Sequence, residues 1–119
     1  MFSSNTPIIQ IAYGVEDIVL EAKKWSKRFN IGPFYYNKHI EVSESRINGI
    51  EKKFDHSSAY GWKENLMIEL INDHSKVNSY NNGIHHIAWI AGDFAQESEE
   101  LKKQDCKEVL LLEQVIGME

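Results

Sequence analysis

The chain has one cysteine, two prolines and no apolar stretch near the roughly 20 residues that a bilayer-spanning helix needs. Cys106 therefore has no internal partner for a disulfide, which fits a reducing compartment and excludes a cysteine-based zinc cluster. Basic side chains are outnumbered, 13 Lys and Arg against 18 Asp and Glu, and they are scattered. The positive footprint of a phosphate-backbone binder is missing, so no nucleic-acid partner is expected. The N-terminal MFSSNTPIIQ lacks the basic start and apolar run of a secretory leader. A cytoplasmic protein with no membrane association is the expectation. What is present is 119 residues, 42% hydrophobic and 26% charged, the composition of one ordinary globular domain. Such a chain buries roughly two-thirds of its unfolded surface.

Ile8 to Tyr13, bounded by Pro7 and Gly14, is rich in β-branched and aromatic residues and reads as a strand. Asp17 can cap a helix in which Ile18, Ala22, Trp25 and Phe29 form an apolar stripe at helical spacing. Asn30-Ile31-Gly32-Pro33 ends it. Phe34 to Val42 suits a strand, and Gly49 to about Ser58 and Glu64 to Ile71 suit two more, joined around Tyr60-Gly61-Trp62. These elements make one βαβββ unit. The Asn-rich stretch from Asn72 to Gly83 is a polar connector.

The pattern then restarts. Gln10-Ile11-Ala12-Tyr13 and Asp17-Ile18 are echoed 76 residues on by His86-Ile87-Ala88-Trp89 and Asp93-Phe94. A second helix from about Phe94 to Gln104 and a strand from Glu108 to Glu113 follow, consistent with a duplicated unit. The expected organisation is one domain over 1–119: a first module at about 7–73, a connector at about 74–83, and a partial second module at about 84–119 that stops before its closing strands.

Of the five histidines, only His85 and His86 sit in a strand pattern. Adjacent strand residues face opposite ways, so only one of the two should enter a given site. In the first repeat Gln10 shares a face with Ala12 and Gly14, while Ile9, Ile11, Tyr13 and Val15 line the other. A helix on one face accounts for the bulk, and a ligand space on the other accounts for a polar residue followed by small ones. Gln10 and His86 occupy equivalent places. Glu69 interrupts the apolar run from Leu66 to Ile71, where burial demands a cation or good hydrogen bonds. A metal would meet that demand, as would a neighbouring Lys or Arg. His39, His56 and His74 read as solvated, Trp25, Phe29, Trp89 and Leu101 as core, and Cys106 as a space-filling residue.

QIAYGVED at 10–17, NIGPF at 30–34, IELI at 68–71 and above all GIHHIAWIAGDF at 83–94 resemble the vicinal oxygen chelate superfamily. That superfamily includes glyoxalases, methylmalonyl-CoA epimerases, extradiol dioxygenases and bleomycin-resistance proteins. The resemblance implies an α+β fold of paired βαβββ modules, whose curled mixed sheet surrounds a divalent metal. By position the implied ligands are Gln10, Glu69 and His86, the order seen at the start of zinc lactoylglutathione lyases. A fourth ligand, a Glu that doubles as base in those lyases, would fall beyond residue 119. The catalytic Glu that epimerases place before a Gln-Gly-Val-like turn has no counterpart in Ile47-Asn48-Gly49-Ile50.

The expectation is thus a glyoxalase-like metal-dependent lyase or isomerase acting by proton transfer on a small carbonyl or enediolate-type substrate. Zinc, nickel, cobalt, manganese and iron all suit its nitrogen and oxygen donors. A non-catalytic small-ligand-binding module of the same fold, or a truncated fragment of a longer enzyme, is the alternative. A module without closing strands leaves a sheet edge bare, so a homodimer is expected.

Overall fold

The computed structural model describes residues 6–42, 44–76 and 83–112. Its elements are β1 (Gln10–Gly14), α1 (Ile18–Phe29), β2 (Tyr35–Val42), β3 (Ser45–Ile47), β4 (Ile50–Glu51), β5 (Phe54–Lys63), β6 (Leu66–Asp73), β7 (Gly83–Ala88), α2 (Phe94–Lys103) and β8 (Leu110–Leu112). Five strands form a mixed sheet in the order β2-β5-β6-β1-β7, and β4-β3-β8 form a second, small sheet. The architecture is α+β. Within the large sheet β1 runs parallel to β6 and antiparallel to β7.

Both helices begin where an aspartate can cap them. Asp17 Oδ1 accepts from the Leu20 N–H at 3.0 Å, and Asp93 Oδ1 accepts from the Gln96 N–H at 3.1 Å. α1 ends at Asn30, which takes the left-handed conformation at φ 55° and donates its N–H to the Ser26 carbonyl. The apolar stripe of α1 covers one sheet face. There Val15, Ile18, Ile31, Ala59, Ile68 and Leu70 are buried together, with Tyr13, Ala22, Trp25, Phe34 and Leu66 packed around them. Gly61 belongs to this contact, because a Cβ on it would come within 3.0 Å of the Ile31 and Phe34 side chains.

The pairing of β1 with β7 carries the repeat into three dimensions. Gln10 stands opposite Ala88, and Ala12 opposite His86. Shifting Gln10 forward and Ala88 back by the repeat offset of 76 residues turns the first pair into the second, so the two strands are related by a local two-fold.

Several expectations need correction. Tyr60-Gly61-Trp62 is not a turn but part of β5, and the reversal comes at Glu64-Asn65, where Glu64 adopts φ 54°. The expected single strand from Gly49 is two: a short hairpin of β3 and β4 turns at Asn48-Gly49, both at positive φ, before β5 begins at Phe54. Phe29 is 50% exposed and meets Trp25 edge-on. Trp89 and Leu101 are only partly buried, and Cys106 is exposed. The backbone of β8 pairs with β3 and not with the large sheet. The centre of the expected connector, residues 77–82, and the tail at 113–119 lie outside the described residues.

Candidate functional site

The sheet face opposite α1 carries a buried polar cluster. Gln10 and Ala12 of β1 lie in register with Met67 and Glu69 of β6, and Glu69 with Tyr60 of β5. Directly paired strand residues share a face, so Gln10, Glu69, Tyr60 and His86 converge on one side. The expected trio is brought together. Gln10 Nε2 donates to Glu69 Oε1 at 3.1 Å, His86 Nε2 lies 3.4 Å from the same oxygen, and Gln10 Oε1 lies 3.3 Å from His86 Nε2.

Glu69 is almost fully buried. Its second oxygen, Oε2, accepts a 2.6 Å hydrogen bond from the Ser58 hydroxyl, itself inaccessible to solvent. Burial alone would raise the carboxyl pKa. Hydrogen bonds from His86 and Ser58 and the nearby His86 and His56 charges outweigh it, and the group is held below its ordinary value. Tyr60 moves the other way: burial first, then the negative charge of Glu69, push its phenol above 10.0. It therefore keeps its proton at neutral pH.

The opposite-faces expectation for His85 and His86 fails. Between Ala12 and Tyr13 the β1–β7 register slips, with His86 opposite Ala12 and Ile84 opposite Tyr13, so His85 is the extra residue of a β-bulge. The bulge turns both rings toward one network. His85 Nδ1 lies 2.7 Å from His86 Nδ1, and His85 Nε2 lies 3.2 Å from the buried Asp73 Oδ2. Two proton arrangements satisfy these contacts. With His85 Nε2–H donated to Asp73 and His86 Nδ1–H donated to His85 Nδ1, His86 Nε2 presents a lone pair to Gln10 Oε1 and Glu69 Oε1, and a cation between the three would meet the buried negative charge. With the proton on His86 Nε2, that N–H donates to Glu69 and hydrogen bonds alone meet the charge.

A bound cation fits this donor set. Donors about 2.0–2.1 Å from a tetrahedral ion stand roughly 3.3 Å apart, and the two nitrogen–oxygen separations at His86 are 3.3 and 3.4 Å. His86 remains 37% exposed, which leaves a side of the site open to a ligand.

His56 is the residue that sequence reading misplaced. Alternation along β5 puts it on the same face as Ser58 and Tyr60, where it is 8% exposed, stacked on Phe54 at 4.7 Å and in register with Asp73. Its Nδ1 is buried without a hydrogen-bond partner. Desolvation outweighs the pull of Glu69, Asp73 and Asp55, and lowers its pKa below 6.5. The two-residue spacing of Phe54, His56 and Ser58 was the available signal, and its meaning depended on where β5 began. His39 is exposed as expected, and His74 is partly exposed.

A search of the curated proteins finds no match for this chain. Among protein families, the model for the glyoxalase, bleomycin resistance protein and dioxygenase superfamily matches residues 9–114. That span takes in β1, both helices, the large sheet and the Gln10–Glu69–His86 cluster, and the chain belongs to this superfamily.

Proposed function

We propose that Gln10, Glu69 and His86 hold a divalent cation, and that this face acts on a small carbonyl or enediolate-type substrate by proton transfer, as a glyoxalase-like lyase or isomerase. The observation that carries the reading is that His86 Nε2 lies 3.3 Å from Gln10 Oε1 and 3.4 Å from Glu69 Oε1, three potential ligand atoms from three strands, at a carboxylate buried within the apolar run from Leu66 to Ile71. When bound, such an ion polarises vicinal oxygens and stabilises the negative charge that builds up during proton transfer. The protein's own part is positional. Glu69 supplies the negative charge, Ser58 pins its second oxygen, and the Asp73–His85 pair holds the His86 ring with Nε2 turned inward. Gln10 adds a neutral oxygen, so a divalent ion would keep net positive charge for substrate. Zinc, nickel, cobalt, manganese and iron are all compatible with this mixture of donors.

Glu69→Gln keeps the shape and removes the charge. Calorimetric titration with zinc and nickel should show sharply weaker binding than for the unaltered chain. The thermal stabilisation that added metal confers should also disappear. Equal affinities in the two proteins would overturn the assignment.

One observation favours a second reading, a ligand-binding module without turnover. Residues 47–50, where epimerases carry an acid, form the β3–β4 turn and hold no carboxylate. A stoichiometric ion with measurable proton exchange on an enediolate-forming substrate supports the enzyme, and a filled but inert site supports the binder. A homodimer and a cytoplasmic location belong to the same proposal. They are supported by the outer edge of β7, which carries no strand among the described residues, and by the lone exposed Cys106. No helix of the described residues is long and apolar enough to cross a membrane.

A further inference from the structure

The geometry points to a second cation site, on the α1 side of the sheet, formed by His39, Asp55 and His74. Alternation separates it from the first. His56, Ser58 and Glu69 look one way, whereas Asp55 and Ser57 of β5 look the other, and His74 directly follows Asp73 at the end of β6. One donor atom from each of His39, Asp55 and His74 lies within 4.8 Å of the other two.

Each of the three is placed by backbone that other contacts hold. β2 slips register against β5 between Asn37 and Ile40, and within that bulge His39 adopts φ 48° and donates its N–H to Ser57 Oγ at 3.0 Å. Asp55 is tied to the end of β6, because its N–H donates to Ser75 Oγ at 2.7 Å and its carbonyl accepts from the Ser75 N–H. The His39 and His74 rings lie side by side, 4.4 Å apart and inclined by 18°. His39 Nδ1 stands 3.1 Å from Asp55 Oδ2.

Ser57 gives the cluster an outer layer of support. Its oxygen already accepts from His39 N–H and lies 2.7 Å from His74 Nε2. If its second lone pair takes the His74 Nε2–H, Nδ1 of that ring carries the lone pair that a metal requires, an arrangement typical of ligating histidines. Two neutral imidazoles and one carboxylate make a donor set suited to zinc, cobalt or nickel, with coordination positions left over. The His39 side chain is 63% exposed, so it can swing the small distance that closing around an ion demands. Next to the cluster a recess of about 370 Å³, lined in part by His39, Ser57, His74, Lys38, Glu16 and Asp17, gives water or a small ligand access. Ser57 and Ser58, neighbours in one strand, would thus serve two sites on opposite faces.

The test uses the full chain and zinc alone. Calorimetry on the His86→Ala variant, which isolates this site from the one proposed above, should show one zinc ion per chain. Adding His39→Ala or His74→Ala should weaken that binding by more than the roughly tenfold that an outer-layer change brings, and Ser57→Ala should weaken it by about tenfold. Cobalt should give visible absorption bands that vanish in the His39→Ala/His74→Ala double variant, and circular dichroism melts should show the exposed-site variants folded. Zinc affinity unchanged by His39→Ala and by His74→Ala would overturn the second site and leave the first untouched. Binding in the unaltered chain that falls with His39→Ala but not with His86→Ala would uphold the second and overturn the first.

Discussion

The two helices start alike and end up in different surroundings. Each is capped by an aspartate whose side chain accepts from the N–H three residues on, each carries a glutamate in its first turn and basic residues in its last, and each follows the repeated strand motif. α1 nevertheless packs on β5 and β6, with Tyr13 of β1 against Trp25, and buries Ile18 in a cluster with Val15, Ile31 and Leu70, whereas α2 has no buried residue. Between α2 and β7 is an open recess of about 530 Å³ lined by Ile87, Trp89, Phe94 and Leu101. Caps and helix charges depend on a few neighbours along the chain, while burial depends on how much sheet lies underneath. Residues 10–74 also carry Glu69, His56 and both candidate cation sites except for His86, so the better-packed part supplies the rigidity and the bulge in β7 supplies the last side chain.

The largest expected effect would break this comparison if it failed. Leu70 is wholly buried, and Leu70→Ala should cost about 2–5 kcal/mol in urea unfolding, the range for a large-to-small core change. Leu101→Ala on α2, at a partly buried position, should cost less than about 1.5 kcal/mol. Similar losses at the two sites would mean that α2 is packed as firmly as α1.

A second expectation concerns acid. His56 has its folded pKa lowered, so below 6.5 the unfolded chain takes up a proton that the folded chain refuses. Stability should therefore fall as pH drops from about neutral through 6.5, and His56→Leu should flatten that limb in thermal melts. Glu69 acts in a different window. Its folded pKa is depressed, so its contribution is present above 4.5 and is lost as pH falls through the lower folded value. A limb near 6.5 that persisted in His56→Leu would show that another group titrates there.

The smallest effects sharpen the contrast between the helices. Asp17→Ala and Asp93→Ala each remove one capping bond, a change of about 1 kcal/mol. The first should register in global unfolding, because α1 is part of the main core. The second should appear chiefly as faster amide exchange in the first turn of α2. Equal exchange in the two wild-type helices would remove the basis of the distinction.

Much of the site was legible because strand alternation is local. Gln10, Ala12 and Gly14 on one face and Ile11 and Tyr13 on the other can be read from period two, and the apolar surroundings of Glu69 mark it as a charge in need of partners. The same rule failed at His85 and His86, since one extra residue in β7 cancels the alternation, and the bulge is defined only by pairing with β1. His56 was missed for a related reason: the burial of β5 depends on β2 and β6 flanking it on either side, a fact absent from its own residues.

By itself the sequence determined what short-range physics controls: the two capped helices, the repeated strand and helix starts, and the polar and apolar faces of β1 and β6. The tertiary structure decided which of those faces became a platform, where β5 turned, that His85 reaches Asp73, and that His39, Asp55 and His74 meet. The physical reason is range. Capping and periodicity act over three or four residues, whereas burial, register and the convergence of donor atoms are set by strands that are distant in the chain and adjacent only in the folded sheet.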